Sequence, residues 1–145
     1  MCENCHTLVI DLSLSDLMEK LRVSINLPIN ITSGYRCPSD NTKAGGAKAS
    51  MHLYGRAIDF NCNHKINGVT VLREVSKIFP RFGFYQSSTA GYCYMHVDNK
   101  TDGNTKCWLS RKIGNSNKYQ YFTNLDMMLE VMKTDTKIKW YSLIV

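Results

Sequence analysis

Four histidines occur in the chain, His6, His52, His64 and His96, and two stand in company that could do chemistry. His52 lies in Ser50-Met51-His52-Leu53-Tyr54-Gly55-Arg56-Ala57-Ile58-Asp59, and His96 in Tyr94-Met95-His96-Val97-Asp98. A catalytic zinc site takes three protein ligands and keeps a further position for water. His52, Asp59 and His96 would supply two imidazoles and one carboxylate. Gly55, between the first two, lets the chain turn so that both side chains converge. Histidine and aspartate are also commonplace on exposed strand faces, so spacing alone leaves a plain solvated surface as the other reading.

Strand alternation bears on the geometry. Across residues 92–98, Tyr92, Tyr94, His96 and Asp98 share one face, and Cys93, Met95 and Val97 share the other. A polar front over an apolar back suits a sheet that carries a site on its open face. The alternation sets Asp98 beside His96 and turns Cys93 away as a ligand.

The elements that must position these residues follow from periodicity. Leu14, Leu17, Met18, Leu21 and Ile25 recur at helical spacing, so residues 13–25 read as a helix capped by Ser13 or Ser15. Asn30-Ile31-Thr32 is a short strand leading into Ser33-Gly34-Tyr35-Arg36. Residues 37–50 turn to Pro, Ser, Asp, Asn, Gly and Ala and read as a long loop. Residues 56–62 form a strand with Ile58 and Phe60 on one face and Ala57 and Asp59 on the other. Residues 69–79 are a second helix, buried through Val71, Leu72, Val75, Ile78 and Phe79 and stopped by Pro80. A strand over 92–97 turns at Asp102-Gly103 and returns over 106–109 as a hairpin. Asn124 caps a third helix with Leu125, Met128, Leu129 and Met132 inward, and residues 137–145 are a last strand. Strands and helices do not strictly alternate, so the class is α+β.

The 145 residues suffice for one domain, and 43% hydrophobic with 21% charged residues is ordinary for a globular protein. That composition excludes a disordered chain, a coiled coil and a collagen-like fibre. Lys and Arg number 18 against 12 Asp and Glu, a net charge of +6 that favours an anionic partner: nucleic acid, an anionic membrane or a bacterial wall polymer. No apolar run approaches the ~20 residues of a membrane span, and no signal-peptide core precedes the first helix. The expectation is a chain made in the cytoplasm without a signal peptide, its six cysteines held as thiols. A Cys93–Cys107 disulfide would need an oxidising setting and suitable geometry.

Taken in order, Ser33-Gly34-Tyr35-Arg36, Asn41, Gly45-Gly46, Ser50-x-His52-x-x-Gly55-x-Ala57-x-Asp59 and His96-x-Asp98 resemble the zinc D-Ala-D-Ala carboxypeptidase family. That family shares its fold with lysostaphin-type peptidases and the hedgehog signalling domain. The resemblance covers about residues 12–108, with residues 114–145 an extension packed on the same domain. It implies a small antiparallel central sheet flanked by helices, with a zinc cleft on the open face. It implies zinc held by His52, Asp59 and His96, and Arg36 reaching into the cleft to hold a substrate carbonyl or carboxylate and steady developing negative charge. Ser50 and Asn41 would organise the loop, and Gly45 and Gly46 would permit close backbone approach.

Many relatives carry a carboxylate three residues before the second histidine, where this chain has Cys93. Asp98 is the remaining candidate, either as the base that takes a proton from the attacking water or as the partner that fixes the His96 tautomer. The implied reaction is zinc-assisted hydrolysis of peptidoglycan stem or cross-link peptides near D-Ala, by a monomer without nucleic-acid or membrane partners. A small enzyme of this kind resembles phage lysis enzymes that reach the wall by a separate route. The alternative is a zinc-stabilised wall-binding module without turnover. A basic nucleic-acid-binding domain rests on charge alone, since no nucleic-acid motif is present.

Weaker signals remain. Cys2-Glu3-Asn4-Cys5-His6 matches the haem-attachment spacing, although free thiols on a loose terminus explain it as well. Cys62-Asn63-His64 reads as a strand end and turn. Tyr119, Tyr121 and Phe122 could contact a wall polymer, though packing is the commoner use of such a cluster.

Overall fold

A computed structural model of the chain describes residues 5–62, 68–85, 93–101, 103–113 and 116–135. The first helix, α1 (Leu12–Ile25), buries Leu14, Met18, Leu21 and Ile25, the stripe expected from its spacing. Its cap is Asp11 and not Ser13 or Ser15. Asp11 has extended backbone, and its carboxylate accepts the Ser13 N–H at 2.9 Å, whereas both serines already lie inside the helix. The strand β1 (Ile29–Ser33) follows, then α2 (Pro38–Lys43), a short helix inside the expected loop. A 3-10 turn (Met51–Tyr54) precedes β2 (Ala57–Cys62), α3 (Gly68–Ile78), β3 (Arg81–Tyr85) and β4 (Cys93–Asp98). The chain then forms β5 (Cys107–Ile113), β6 (Ser116–Phe122) and α4 (Leu125–Thr134), the last capped by Asn124, which accepts the Met127 N–H at 3.0 Å.

The strands make one six-stranded sheet in the order β1-β2-β4-β3-β5-β6. All pairs are antiparallel except β3 with β5. This corrects the expected hairpin. The strand after residue 105 does not return along β4 but runs parallel to β3, which occupies the place beside β4. Neither β3 nor β6 was expected from the sequence. The expected strand over 137–145, and Asn63 and His64, lie outside the described residues.

One face of the sheet carries Ile58, Phe60, Phe82, Phe84, Met95, Val97, Cys107, Leu109 and Phe122. Together with the inner sides of α1, α3 and α4 these make a single buried cluster. The alternation fixes the other face. A one-residue slip of β2 or β4 would expose Phe60, Met95 or Val97, at about 1.5–3 kcal/mol for each side chain. The core thus holds Asp59 and His96, their immediate neighbours, on the open side. Cys37 and Cys107 are free thiols, so a bond from Cys93 to Cys107 is not formed. Cys107 is buried, donates to the Asn124 carbonyl at 3.3 Å, and burial pushes its thiol up to about 11.

No helix among the described residues is long and apolar enough to cross a membrane.

Candidate metal centre

The open face is ordered in rows that cross the strands. One row runs Ser33, Asp59, His96, Gly83, Trp108, Tyr121, each residue paired in register with the next. The pairing of Asp59 with His96 brings two of the expected ligands together by backbone geometry alone. His52 arrives from the 3-10 turn. That turn ends at Gly55 with φ +66°, where any Cβ would also lie 2.5 Å from the Val9 carbonyl oxygen. The Arg36 N–H donates to the His52 carbonyl at 3.1 Å and ties the turn to the segment after β1.

Three atoms converge. His52 Nε2 lies 3.1 Å from Asp59 Oδ1 and 3.2 Å from His96 Nδ1, and His96 Nδ1 lies 2.8 Å from Asp59 Oδ1. Ligands bound at 2.0–2.1 Å with tetrahedral angles sit about 3.3 Å apart, so the triangle is close to the size a zinc ion needs. His52, Asp59 and His96 are also the group of metal-ligating side chains found together among the described residues.

The far atom of each candidate ligand is engaged. His52 Nδ1 faces the Gly34 carbonyl at 2.6 Å, which makes it the protonated nitrogen and leaves Nε2 bare. Asp59 Oδ2 accepts from the Arg36 guanidinium, whose Nε donates to Ser33 Oγ at 2.9 Å. His96 Nε2 faces Asp98 Oδ2 at 3.0 Å. The motif Ser33-Gly34-Tyr35-Arg36 therefore orients two ligands, through the Gly34 carbonyl and the Arg36 side chain.

Burial pushes the Asp59 carboxyl up, but the adjoining His52 and His96 rings outweigh it and hold the group well below the usual carboxylate range. Burial lowers the His96 pKa, and hydrogen bonds to Asp59 and Asp98 reverse that and raise it. Asp98 likewise loses by burial and gains more from His96 and Arg81, so it stays ionised.

Asp98 is fully buried. Arg81 grips it with Nε and a terminal nitrogen at 2.6–3.0 Å, and the Lys100 N–H donates to Oδ1 at 3.0 Å. It meets His96 through the ring nitrogen that points away from His52 and Asp59. Of the two roles open to Asp98, this geometry favours support of His96. The accessible side of the triangle is the one toward Asp59 and Arg36, whose side chains are 26% and 18% exposed, against 2% for His52.

Asn41 and Ser50 organise the loop between α2 and the 3-10 turn. Asn41 Nδ2 donates to the Ala47 carbonyl at 2.9 Å, and the Ser50 carbonyl accepts the Leu53 N–H at 3.1 Å. Gly46 packs so closely on Asn41 that a Cβ would fall 2.1 Å from its Oδ1. Three further residues escaped the sequence reading. Arg81 neutralises Asp98. Trp108 lies against His96 with ring centroids 5.3 Å apart, and it donates from Nε1 to the Tyr85 hydroxyl at 3.3 Å. Gly83, between them, leaves the space that the indole fills; a Cβ there would lie 2.2 Å from Trp108 Cε2. The alternation in Arg81-Phe82-Gly83-Phe84-Tyr85 is the signal that could have found this strand and its open face.

No curated protein matches the chain. The sequence profile described as Peptidase M15 matches residues 2–98, which include all of the converging side chains and end at Asp98. With more than half its length matched, the chain belongs to the Peptidase M15 family, the zinc D-Ala-D-Ala carboxypeptidase-like metallopeptidases.

Proposed function

We propose that this metallopeptidase hydrolyses peptidoglycan stem or cross-link peptides near D-Ala, with zinc held by His52, Asp59 and His96. The observation that carries the reading is the engagement of the far atom of every candidate ligand, by the Gly34 carbonyl, Arg36 and Asp98, while the near atoms converge. Such outer partners fix ring orientation and tautomer before a metal arrives. A zinc ion bound there would supply a Lewis acid that activates water and polarises a carbonyl. Arg36 stands on the accessible side, where its remaining N–H groups can hold a substrate carbonyl or carboxylate. Asp98 is the positioning residue for His96. The net charge of +6 suits an anionic wall. On this reading the protein is made in the cytoplasm, reaches the wall by a separate route as phage endolysins do, and works as a monomer.

A second reading, a zinc-stabilised wall-binding module without turnover, is favoured by one feature. Asp98, the base candidate of the sequence, is enclosed by Arg81, the Lys100 N–H and His96.

Metal content and peptidoglycan cleavage, measured together, separate the two. The wild type is expected to bind one zinc and release peptide fragments, and His96→Ala to lose both. Asp98→Asn is expected to bind zinc about 10–100-fold more weakly, as befits a partner of a ligand. Unchanged zinc affinity with lost turnover would make Asp98 the base instead. Zinc binding without any cleavage by the wild type would leave the binding module.

A further inference from the structure

The row that holds the metal centre continues past it. Beyond His96 and Gly83 come Trp108 on β5 and Tyr121 on β6, with Trp108 and Tyr121 ring centroids 6.5 Å apart. Tyr121 stacks on Tyr119 at 6.4 Å with the rings 19° from parallel, and Tyr119 meets Tyr85 edge-on at 6.4 Å. The outer two rings are open to solvent, Tyr119 by 44% and Tyr121 by 62%. Phe122, their neighbour, faces the core instead. Strand β6 lies wholly outside residues 2–98, so the family match assigns these tyrosines nothing.

The neighbouring row has its own chemistry. It runs Asn30, Asn61, Tyr94, Tyr85, Ser110, Tyr119, again in register. Every member is neutral and carries an amide or a hydroxyl. In the row through the metal centre the formal charge lies at the metal end, on Asp59 and His96, with Arg36 and the Arg81–Asp98 pair beside them. A ligand seated at the tyrosine end meets flat aromatic faces with the neutral hydroxyls of Tyr85 and Ser110 alongside. A sugar ring offers the matching surface, with C–H groups on its face and hydroxyls at its rim.

Distance fits as well. Three strand steps separate His96 from Tyr121, about 14 Å at the usual spacing. An extended peptide covers that span with about four residues. A stem peptide cut at the metal centre could therefore reach back to the glycan from which it hangs.

We propose that Tyr119 and Tyr121, with Tyr85 and Trp108 beneath them, form a saccharide subsite continuous with the metal cleft, which seats the N-acetylated glycan strand. The proposal rests on the reading of the site as a peptidoglycan peptidase, and its test is read separately. The probe is tetra-N-acetylchitotetraose, a peptide-free sugar, titrated into the whole chain and followed by NMR. Wild type is expected to show saturable shifts, and Tyr119→Ala and Tyr121→Ala to weaken the dissociation constant roughly tenfold each, the scale of one lost aromatic contact with its buried area. In cleavage assays the loss on intact peptidoglycan is expected to exceed the loss on a sugar-free stem peptide by a similar factor. No saturable sugar binding by wild type, or equal binding by the tyrosine variants, overturns the subsite whether or not the enzyme cuts peptide. Equal losses on both substrates overturn it as well, and assign the rings to the peptide. Saturable sugar binding by a protein that takes up zinc yet cuts neither substrate would keep the subsite and refute the peptidase reading.

Discussion

The two ends of the open face are built to opposite rules. Around the metal centre, on β1, β2 and β4, the side chains that converge are charged or titratable, largely withdrawn from water, and locked. His52 and His96 are 2% and 8% exposed, and the far atom of each candidate ligand has a partner. On β5 and β6 the row that continues from the metal centre is neutral and aromatic, Trp108 and Tyr121 with Tyr119 beside them, and its outermost rings are open to water. Charged groups withdrawn from water must have partners close by, or burial would neutralise them. Aromatic rings need no such network, and they present large, stiff surfaces at small entropic cost. The metal end is thus organised before any ligand arrives, whereas the tyrosine end presents a surface whose partner comes from outside.

The largest expected effect that would break this contrast concerns metal and stability. Zinc at about a hundredfold over its dissociation constant should stabilise the folded chain by ~2.7 kcal/mol. For a domain of this size that is roughly 5–11 °C in melting temperature. Thermal unfolding with and without a chelator measures it. Asp59→Ala should abolish the increment, while the Tyr119→Ala, Tyr121→Ala double variant should keep it in full. An increment that disappears with the tyrosines would mean that the two ends form one cooperative site and not two.

Much of the metal end is legible in the amino-acid sequence. The helices α1, α3 and α4 and the strands β2 and β4 announce themselves through spacing, because each buries one side only. Alternation placed His96 and Asp98 together on the polar side of one strand, and Asp59 on the side of another strand away from Ile58 and Phe60. The pairings were out of reach. Arg81 meets Asp98 across a strand that begins right after Pro80 and contains a glycine, which disguises a five-residue strand. Among the described residues strand β6 is the last of the sheet, with Asn117, Lys118 and Gln120 among its residues, and an edge needs little apolar surface. The parallel pairing of β5 with β3 depends on contacts distant in sequence, to which local periodicity is blind. Asp98 shows the same limit at the scale of one side chain. Its strand face was legible, but whether it meets water or Arg81 was not.

The joint between the two ends is Gly83, and it yields the next effect. A methyl group there would lie 2.2 Å from Trp108 Cε2 and 2.5 Å from Cζ2, so the indole must leave its place. Gly83→Ala is expected to cost about 1–3 kcal/mol, the usual scale for overpacking a filled site. The Trp108 to Tyr85 hydrogen bond would break with it. A fall in melting temperature together with a changed near-ultraviolet circular dichroism spectrum would report the displaced ring. An unchanged spectrum at unchanged stability would mean that Trp108 does not rest on the strand as the rings indicate, and the metal end and the aromatic end would lose their shared support.

The smallest expected effect is the most pointed. Tyr121 lies on an edge strand, paired across to Trp108, with 62% of its surface open to water. A residue so placed contributes little to folding, and Tyr121→Ala should change unfolding free energy by no more than about 0.5 kcal/mol. Denaturant unfolding measures the difference directly. A loss above about 1.5 kcal/mol would show that the ring is a packing element that holds β6 to β5, and its exposure would then be the leftover of a satellite core. Near-zero cost is the more informative result, because the chain would then keep a large aromatic side chain in water, in the row that leads to its candidate metal centre, at no benefit to its own stability. Exposed apolar surface of that kind, next to a cleft, is what a binding function leaves on a folded protein.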